Sequence, residues 1–166
     1  MARRVSGPLA LPEMVAVVFY LAAVGVLTWM TMEGRLGDSV YGWVLMLLMA
    51  FPLSIVTLLI EVLLDPVVEA QSYEVRQIVY CVQLALPGVV LAVVLFVLVN
   101  SGYRAAGRGF AWFCTACVLV SGLAIVFDNW EPRRPYGWPL LVCGVVMAAA
   151  LLAGRRSAAS RGVRNE

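Results

Sequence analysis

The charged residues of the chain separate five long apolar windows, each 19 to 27 residues in length. A helix rises about 1.5 Å per residue, so about 20 apolar residues cross a hydrocarbon core about 30 Å thick. The pattern therefore predicts an all-α fold, a polytopic transmembrane helix bundle with five spans. The windows comprise residues 14–32, 39–60, 77–103, 109–127 and 135–154.

Turn residues and aromatic residues near the window ends refine these limits. Asp65-Pro66 is expected to stop the second helix, because the residue before a proline is pushed out of the helical region. Between the fourth and fifth windows, Glu131-Pro132-Arg133-Arg134-Pro135 predicts a rigid, charged turn with aromatic neighbours typical of a membrane interface. The fourth window leaves open whether its helix spans fully, since it has only 19 residues and contains Cys, Thr and Ser. The predicted spans are about 14–32, 41–64, 77–100, 109–128 and 136–154.

These spans and their short connectors use most of the chain. Residues 1–154 are predicted to form a single transmembrane domain, followed by an Arg-rich polar tail over residues 155–166. The composition agrees, with 63% hydrophobic and 13% charged residues, whereas a soluble domain has about 25% charged residues. The expected partner is the lipid bilayer, with room for another membrane protein or a second copy of the chain.

The basic residues are unusual in kind and in distribution. All 12 are Arg, and the chain contains neither Lys nor His. Arg-only usage with abundant Ala, Val, Leu and Gly is typical of high-GC codon usage, which favours a bacterial inner membrane. The net charge is only +2, and the arginines are spread over several connectors. A nucleic-acid partner is therefore not expected, because it would need a concentrated basic face.

The arginines also bear on membrane orientation. Five spans place the two termini on opposite sides of the membrane. A cytoplasmic C-terminus puts seven arginines inside and five outside, which the excess of Arg on the cytoplasmic side favours. The first helix taken alone favours the reverse, because Arg3 and Arg4 precede it.

Glu61 is the one charged residue predicted within an otherwise apolar helix. An ionisable group at membrane depth is costly and suggests a functional role. Glu61 lies only one turn before Asp65, however, so its carboxylate can also reach the headgroups or Arg76. Interfacial anchoring is the favoured interpretation, and a role with a proton or a substrate is the alternative.

Pro52 and Pro87 fall in the middle of the second and third predicted helices. Each proline removes one backbone hydrogen bond and tends to kink its helix, which neighbouring helices can tolerate in a membrane. Paired prolines in the middle of spans can mark transporter gates, but prolines also occur in ordinary membrane helices. Gln83 and Ser54 are the polar residues expected to hydrogen-bond near these kinks.

Cys114-Thr115-Ala116-Cys117 forms a Cys-x-x-Cys pattern near the start of the fourth helix. The pattern resembles that of membrane thiol oxidoreductases of the vitamin K epoxide reductase type, whose cysteine pair lies beside a quinone. Those proteins relay electrons through a second pair outside the membrane, whereas Cys81 and Cys143 lie in predicted spans. Buried cysteine mostly behaves as a small apolar residue, so packing is favoured over redox chemistry. Because the four sulfurs cannot converge, no metal site is predicted.

The whole chain resembles the small multi-spanning membrane proteins common in high-GC Gram-positive bacteria. The resemblance rests on the Arg-only basic set, on Gly37-Asp38-Ser39 before Tyr41-Gly42-Trp43, and on Pro52-Leu53-Ser54. It implies no activity, cofactor or site. The expected function is that of a non-enzymatic accessory or interaction subunit with no cofactor. The alternatives are a small transporter or channel using Glu61, Gln83, Pro52 and Pro87, and a thiol oxidoreductase using Cys114 and Cys117.

Overall fold

The computed structural model describes residues 11–56, 58–59, 73–100 and 104–163, and it confirms the all-α fold. Within these ranges the regular structure is helical. A 3₁₀ helix over Glu131–Tyr136 precedes the last α-helix. The α-helices are α1 (Leu11–Met32), α2 (Ser39–Met49), α3 (Tyr73–Asn100), α4 (Arg104–Val126) and α5 (Gly137–Val163).

Four of the helices contain apolar stretches long enough to cross a membrane. These stretches contain 20 to 24 residues, against the roughly 20 that a bilayer requires. The fourth helix begins at Arg104, before its charge-free window, so its apolar stretch reaches 22 residues. Its length is therefore sufficient for a full span. The stretches are Glu13–Met32, Ile78–Val99, Ala105–Val126 and Glu131–Gly154.

The second window forms a shorter helix than the sequence predicts. Asp38 caps the start of α2, because its carboxylate accepts a hydrogen bond from the N–H of Val40 at 2.9 Å. The helix ends at Met49, and a turn over residues 50–52 precedes helical residues 53–56 and 58–59. Pro52 explains the interruption, since it lacks an N–H and its ring crowds the preceding turn. Residues 60–64 of the predicted span lie outside the described part of the chain.

Helices α1 and α4 form the centre of the bundle. Each of them packs against the other and against α2, α3 and α5. The α1 face turned to its neighbours combines small and large residues, which lets the helices interlock where van der Waals contact drives association. Its fully buried side chains include those of Ala16, Tyr20, Ala23, Leu27 and Met30.

Glycines set the closest helix contacts. A Cβ atom at Gly137 would lie 2.7 Å from the carbonyl oxygen of Gly122, so α5 starts directly against the α4 backbone. Gly88 of α3 packs against the side chain of Val24 in α1. A Cβ atom at position 88 would lie only 2.7 Å from a methyl carbon of Val24. These contacts require residues without side chains.

The bundle has two opposite ends, called here the Glu13 end and the Asp128 end. Glu13 near the start of α1 pairs with Arg108 near the start of α4 at 3.4 Å, and both helices run from there toward the Asp128 end. Helix α3 runs the other way, because the backbone of Leu98, near its C-terminus, meets Gly107 of α4. Helix α5 is likewise antiparallel to α4.

Candidate functional site

Helix α2 ends inside the bundle, where its backbone needs hydrogen-bond partners from the protein. The hydroxyl of Tyr20 donates a hydrogen bond of 2.9 Å to the main-chain carbonyl oxygen of Met49, the last residue of α2. Tyr20 and Met49 are both fully buried. Non-helical backbone at membrane depth is tolerated only where protein or a water-filled cavity satisfies it. Tyr20 performs this role for the end of α2.

The residues after Met49 are held by further contacts. The N–H of Ser54 donates to the carbonyl oxygen of Ala50 at 3.1 Å, so the helical path resumes after Pro52. The ring of Phe51 lies 6.1 Å from that of Phe113 in α4, which is within the range of favourable aromatic pairs. Ser54 is buried, whereas Pro52 itself is exposed.

Pro87 has different surroundings from Pro52. It lies inside α3, which continues through it, and it is buried. Its neighbour Gly88 packs on Val24 of α1, so close helix contact accompanies the missing hydrogen bond. The structure therefore places one proline on the outer surface and the other at a helix interface.

Gln83 precedes Pro87 by one helical turn. Its amide oxygen is buried and accepts no hydrogen bond from the residues that the structure describes, contrary to the bond expected near the kink. A buried acceptor without a partner costs about 1–3 kcal/mol. Glu61, the other polar candidate for a transport path, lies outside the described residues.

The Cys-x-x-Cys pair is part of the packed core. Cys114 is fully buried and Cys117 is 7% exposed, and both face the interior from α4. All four cysteines are free thiols in the structure. Helices α3 and α5 each pack on α1 and α4 rather than extensively on each other, so Cys81 and Cys143 are carried by helices on different sides of the core. Within the described ranges, no group of three or more metal-ligating side chains converges.

Among the described residues, the densest group of polar contacts lies at the Asp128 end, and it was not predicted. Arg133 pairs with the carboxylate of Asp128 at 2.5 Å. Its guanidinium carbon also lies 4.0 Å from the ring centroid of Tyr41 and 4.8 Å from that of Trp130. Cations favour such positions near aromatic faces. The sequence showed a charged turn with aromatic neighbours, but Tyr41 belongs to a distant helix.

Asp128 organises the turn around this group. Its carboxylate accepts a hydrogen bond from the N–H of Trp130 at 3.3 Å, and its main-chain oxygen accepts one from Nε of Arg134 at 2.9 Å. Desolvation raises the pKa of the Asp128 carboxyl. The hydrogen bond and charge of Arg133, with the N–H groups of Trp130 and Asn129, outweigh that effect and lower the pKa below its usual value.

Two further contacts join this end of the bundle across distant segments. The hydroxyl of Tyr41 donates to the carbonyl oxygen of Ala124 in α4 at 3.1 Å. The ring of Trp130 covers Gly37, where no Cβ atom would fit and where φ is +77°. A glycine is required there by both the conformation and the space. The contacts of Arg133 and Trp130 therefore hold the segment that follows α1 against the segment that follows α4.

The structure is therefore a bundle of apolar helices of membrane-spanning length. A cluster of paired polar side chains lies at its Asp128 end, and the hydroxyl of Tyr20 satisfies the backbone where α2 ends inside the bundle. No protein-family model matches the chain, and neither a curated protein nor a solved structure matches it.

Proposed function

We propose that this chain is a non-enzymatic integral protein of the cell membrane that acts as an accessory or interaction subunit. In this proposal it is multi-pass, with a cytoplasmic C-terminus. The described ion pairs support a non-enzymatic role, because they join residues at the ends of the bundle. Functional machinery of pumps typically places such groups at depth.

The observation that carries the proposal is the exposed apolar surface of α3 and α5. Only 33% of each of the apolar stretches Ile78–Val99 and Glu131–Gly154 is buried, against 50% for that of α1, so α3 and α5 both lie at the edge of the bundle. The exposed side chains of α3 can meet lipid or a neighbouring membrane protein. They include Ile78, Val82, Leu86, Val89, Val93 and Val97.

A matched pair of substitutions tests the proposal. Val93 of α3 is 56% exposed, and Val145 of α5 is 59% exposed. We expect at least one of Val93→Trp and Val145→Trp to reduce the fraction of the chain that migrates in a larger complex from native membranes, because each enlarges an exposed apolar side chain on one of the two edge helices. The variant that reduces this fraction identifies the helix that contacts the partner. Native mass spectrometry then distinguishes a second copy of the chain from another protein. A chain that is monomeric at native abundance, before any substitution, contradicts the proposal.

A transporter or channel is the second candidate, because α2 is interrupted inside the bundle. Discontinuous helices near the bilayer midplane form the binding sites of many transporters. In that case Glu61→Gln should reduce proton flux into vesicles that contain the protein and an internal pH-sensitive dye. Flux equal to that of the native protein would count against this candidate.

The thiol oxidoreductase is the third candidate, based on Cys114 and Cys117 being neighbours on one helix. Alkylation of the denatured protein before and after reduction measures how many thiols are oxidised. A disulfide that forms between these two cysteines under oxidising conditions would support redox chemistry. If all four thiols stay free, the redox hypothesis is rejected.

A further inference from the structure

The two terminal helices place the start and the end of the described chain at the same end of the bundle. Helix α1 begins at the Glu13 end, where Glu13 pairs with Arg108. Helix α5 begins beside Val126 at the opposite end and runs back along α4 to residue 163. Five full crossings would instead separate the two termini.

The segment between α1 and α3 accounts for this difference. Helix α2 begins at the Asp128 end, where Gly42 packs against Thr31 and Tyr41 bonds to Ala124. Helix α3 also begins at that end, because it runs antiparallel to α4 as a continuous helix of 28 residues. The chain between residues 39 and 73 therefore starts and finishes at the same end of the bundle.

The depth of α2 shows how far this segment penetrates. Eleven residues rise about 15 Å, or about half of a hydrocarbon core. Its last residue, Met49, is bonded to Tyr20, which follows Glu13 by two helical turns, about 10 Å. Phe51 contacts Phe113, five residues after Arg108. The end of α2 is thus well inside the bundle but short of the Glu13 end.

The chain after α2 is too short to complete the crossing that α2 begins and then to cross back. Reaching the Glu13 end would take about five more helical residues, and crossing back would take about 20. Residues 51–72 provide 22 residues for both and for the turn between them. Charged residues and prolines are also costly in a span. Residues 60–72 include Glu61, Asp65, Pro66 and Glu69.

The arginines divide unequally between the two ends. Four arginines belong to the Asp128 end by their position in the chain, namely Arg35, Arg76, Arg133 and Arg134. The other eight precede α1, open α4 or follow Gly154, and so belong to the Glu13 end. They are Arg3, Arg4, Arg104, Arg108, Arg155, Arg156, Arg161 and Arg164.

We infer that the chain crosses the membrane four times, that α2 enters it from the Asp128 end without crossing it, and that the Glu13 end contacts the anionic cytoplasmic leaflet. Both termini are then cytoplasmic. The eight-to-four distribution follows the rule that arginines of short connectors remain inside, and anionic headgroups attract arginines near the surface. This inference rests on the membrane location in the proposed function.

Labelling of introduced cysteines tests the topology directly. A membrane-impermeant maleimide is applied to intact and to permeabilised spheroplasts that express the full chain, and the native protein gives the background of its own cysteines. We expect Ser6→Cys and Ser157→Cys to be labelled only after permeabilisation. Glu33→Cys and Asn129→Cys, at the opposite end, should be labelled at least tenfold more than background in intact spheroplasts.

Each other outcome contradicts a defined part of the inference. Labelling of Ser6→Cys but not of Glu33→Cys in intact spheroplasts indicates five crossings and overturns the topology with four crossings. Reversal of all four results overturns the cytoplasmic assignment of the Glu13 end. A separate extraction with alkaline carbonate examines the membrane location itself. Release of the protein by carbonate would refute the proposed function, independently of the labelling pattern.

Discussion

The hydroxyl of Tyr20 and the carbonyl oxygen of Met49 are joined by a hydrogen bond across the α1–α2 interface, 29 residues apart in the chain. This bond satisfies the backbone where α2 ends inside the bundle. It replaces the helical hydrogen bond that Met49 does not make after its helix stops. Helix α1 therefore stabilises the interruption of α2 as well as packing against it.

Tyr20→Phe should destabilise the bundle by about 1–2 kcal/mol, because it leaves a buried carbonyl oxygen without its partner. The ring and its packing are retained. Reversible unfolding of the detergent-solubilised protein measures this difference. Tyr41→Phe is the matched control, since Tyr41 also donates to a main-chain carbonyl but at a partly exposed position, where water can replace the bond. Equal destabilisation by the two variants would show that the Tyr20 bond has no special role.

Gly137→Ala should separate the start of α5 from α4. A Cβ atom there meets the carbonyl oxygen of Gly122 and the backbone nitrogen of Val126, 2.7 and 2.9 Å away, and backbone atoms cannot move aside as flexible side chains do. Overpacking of this kind costs about 1–3 kcal/mol. Gly25→Ala is the control, because no atom lies within 4 Å of its Cβ position and alanine favours the helix. The thermal midpoints of both variants check the prediction, and a neutral Gly137→Ala would refute the tight contact.

The spans were predictable because hydrocarbon excludes charge along the whole length of a helix. The windows around Tyr20, Val93, Val118 and Met147 all formed helices of spanning length. The second charge-free window begins at Ser39, which is also the first residue of α2, although the span was predicted from about residue 41. The capping of α2 by Asp38 was not predicted. Its interruption at Pro52 was predicted only as a kink, because a proline in a membrane helix is compatible with either continuation or a break.

The polar contacts were less predictable, because they depend on which helices become neighbours. Arg133 and Tyr41 are 92 residues apart, and nothing local to either one indicates the other. The burial of the cysteine pair was likewise not predictable from local sequence. Its spacing fixed a shared helix, but burial of Cys114 follows from the packing of α4 on α1.

Arg133→Lys should weaken the Asp128 end although it retains the positive charge. A lysine ammonium is compact and cannot reproduce the planar contact of guanidinium with two aromatic rings, each contributing about 1 kcal/mol. We therefore expect a lower thermal midpoint and faster hydrogen exchange in residues 33–38 and 127–136. Arg134→Lys is the control, because the Arg134 side chain is 45% exposed. If the two lysine variants behave alike, the aromatic contacts of Arg133 do not stabilise this end.

The lowered pKa of Asp128 predicts an acid sensitivity of the same end. A carboxyl whose pKa is lower in the folded state than in the unfolded state contributes stability above its unfolded pKa, about 4. That contribution decreases as the pH falls through the folded pKa, because protonation weakens the pairing with Arg133. Unfolding measured from pH 6 to pH 2 should therefore show a loss of stability below about pH 4 in the native protein. Asp128→Asn, which cannot titrate, should be less stable at pH 6 and should lose less on acidification. An identical pH dependence in both proteins would show that Asp128 is not the group responsible.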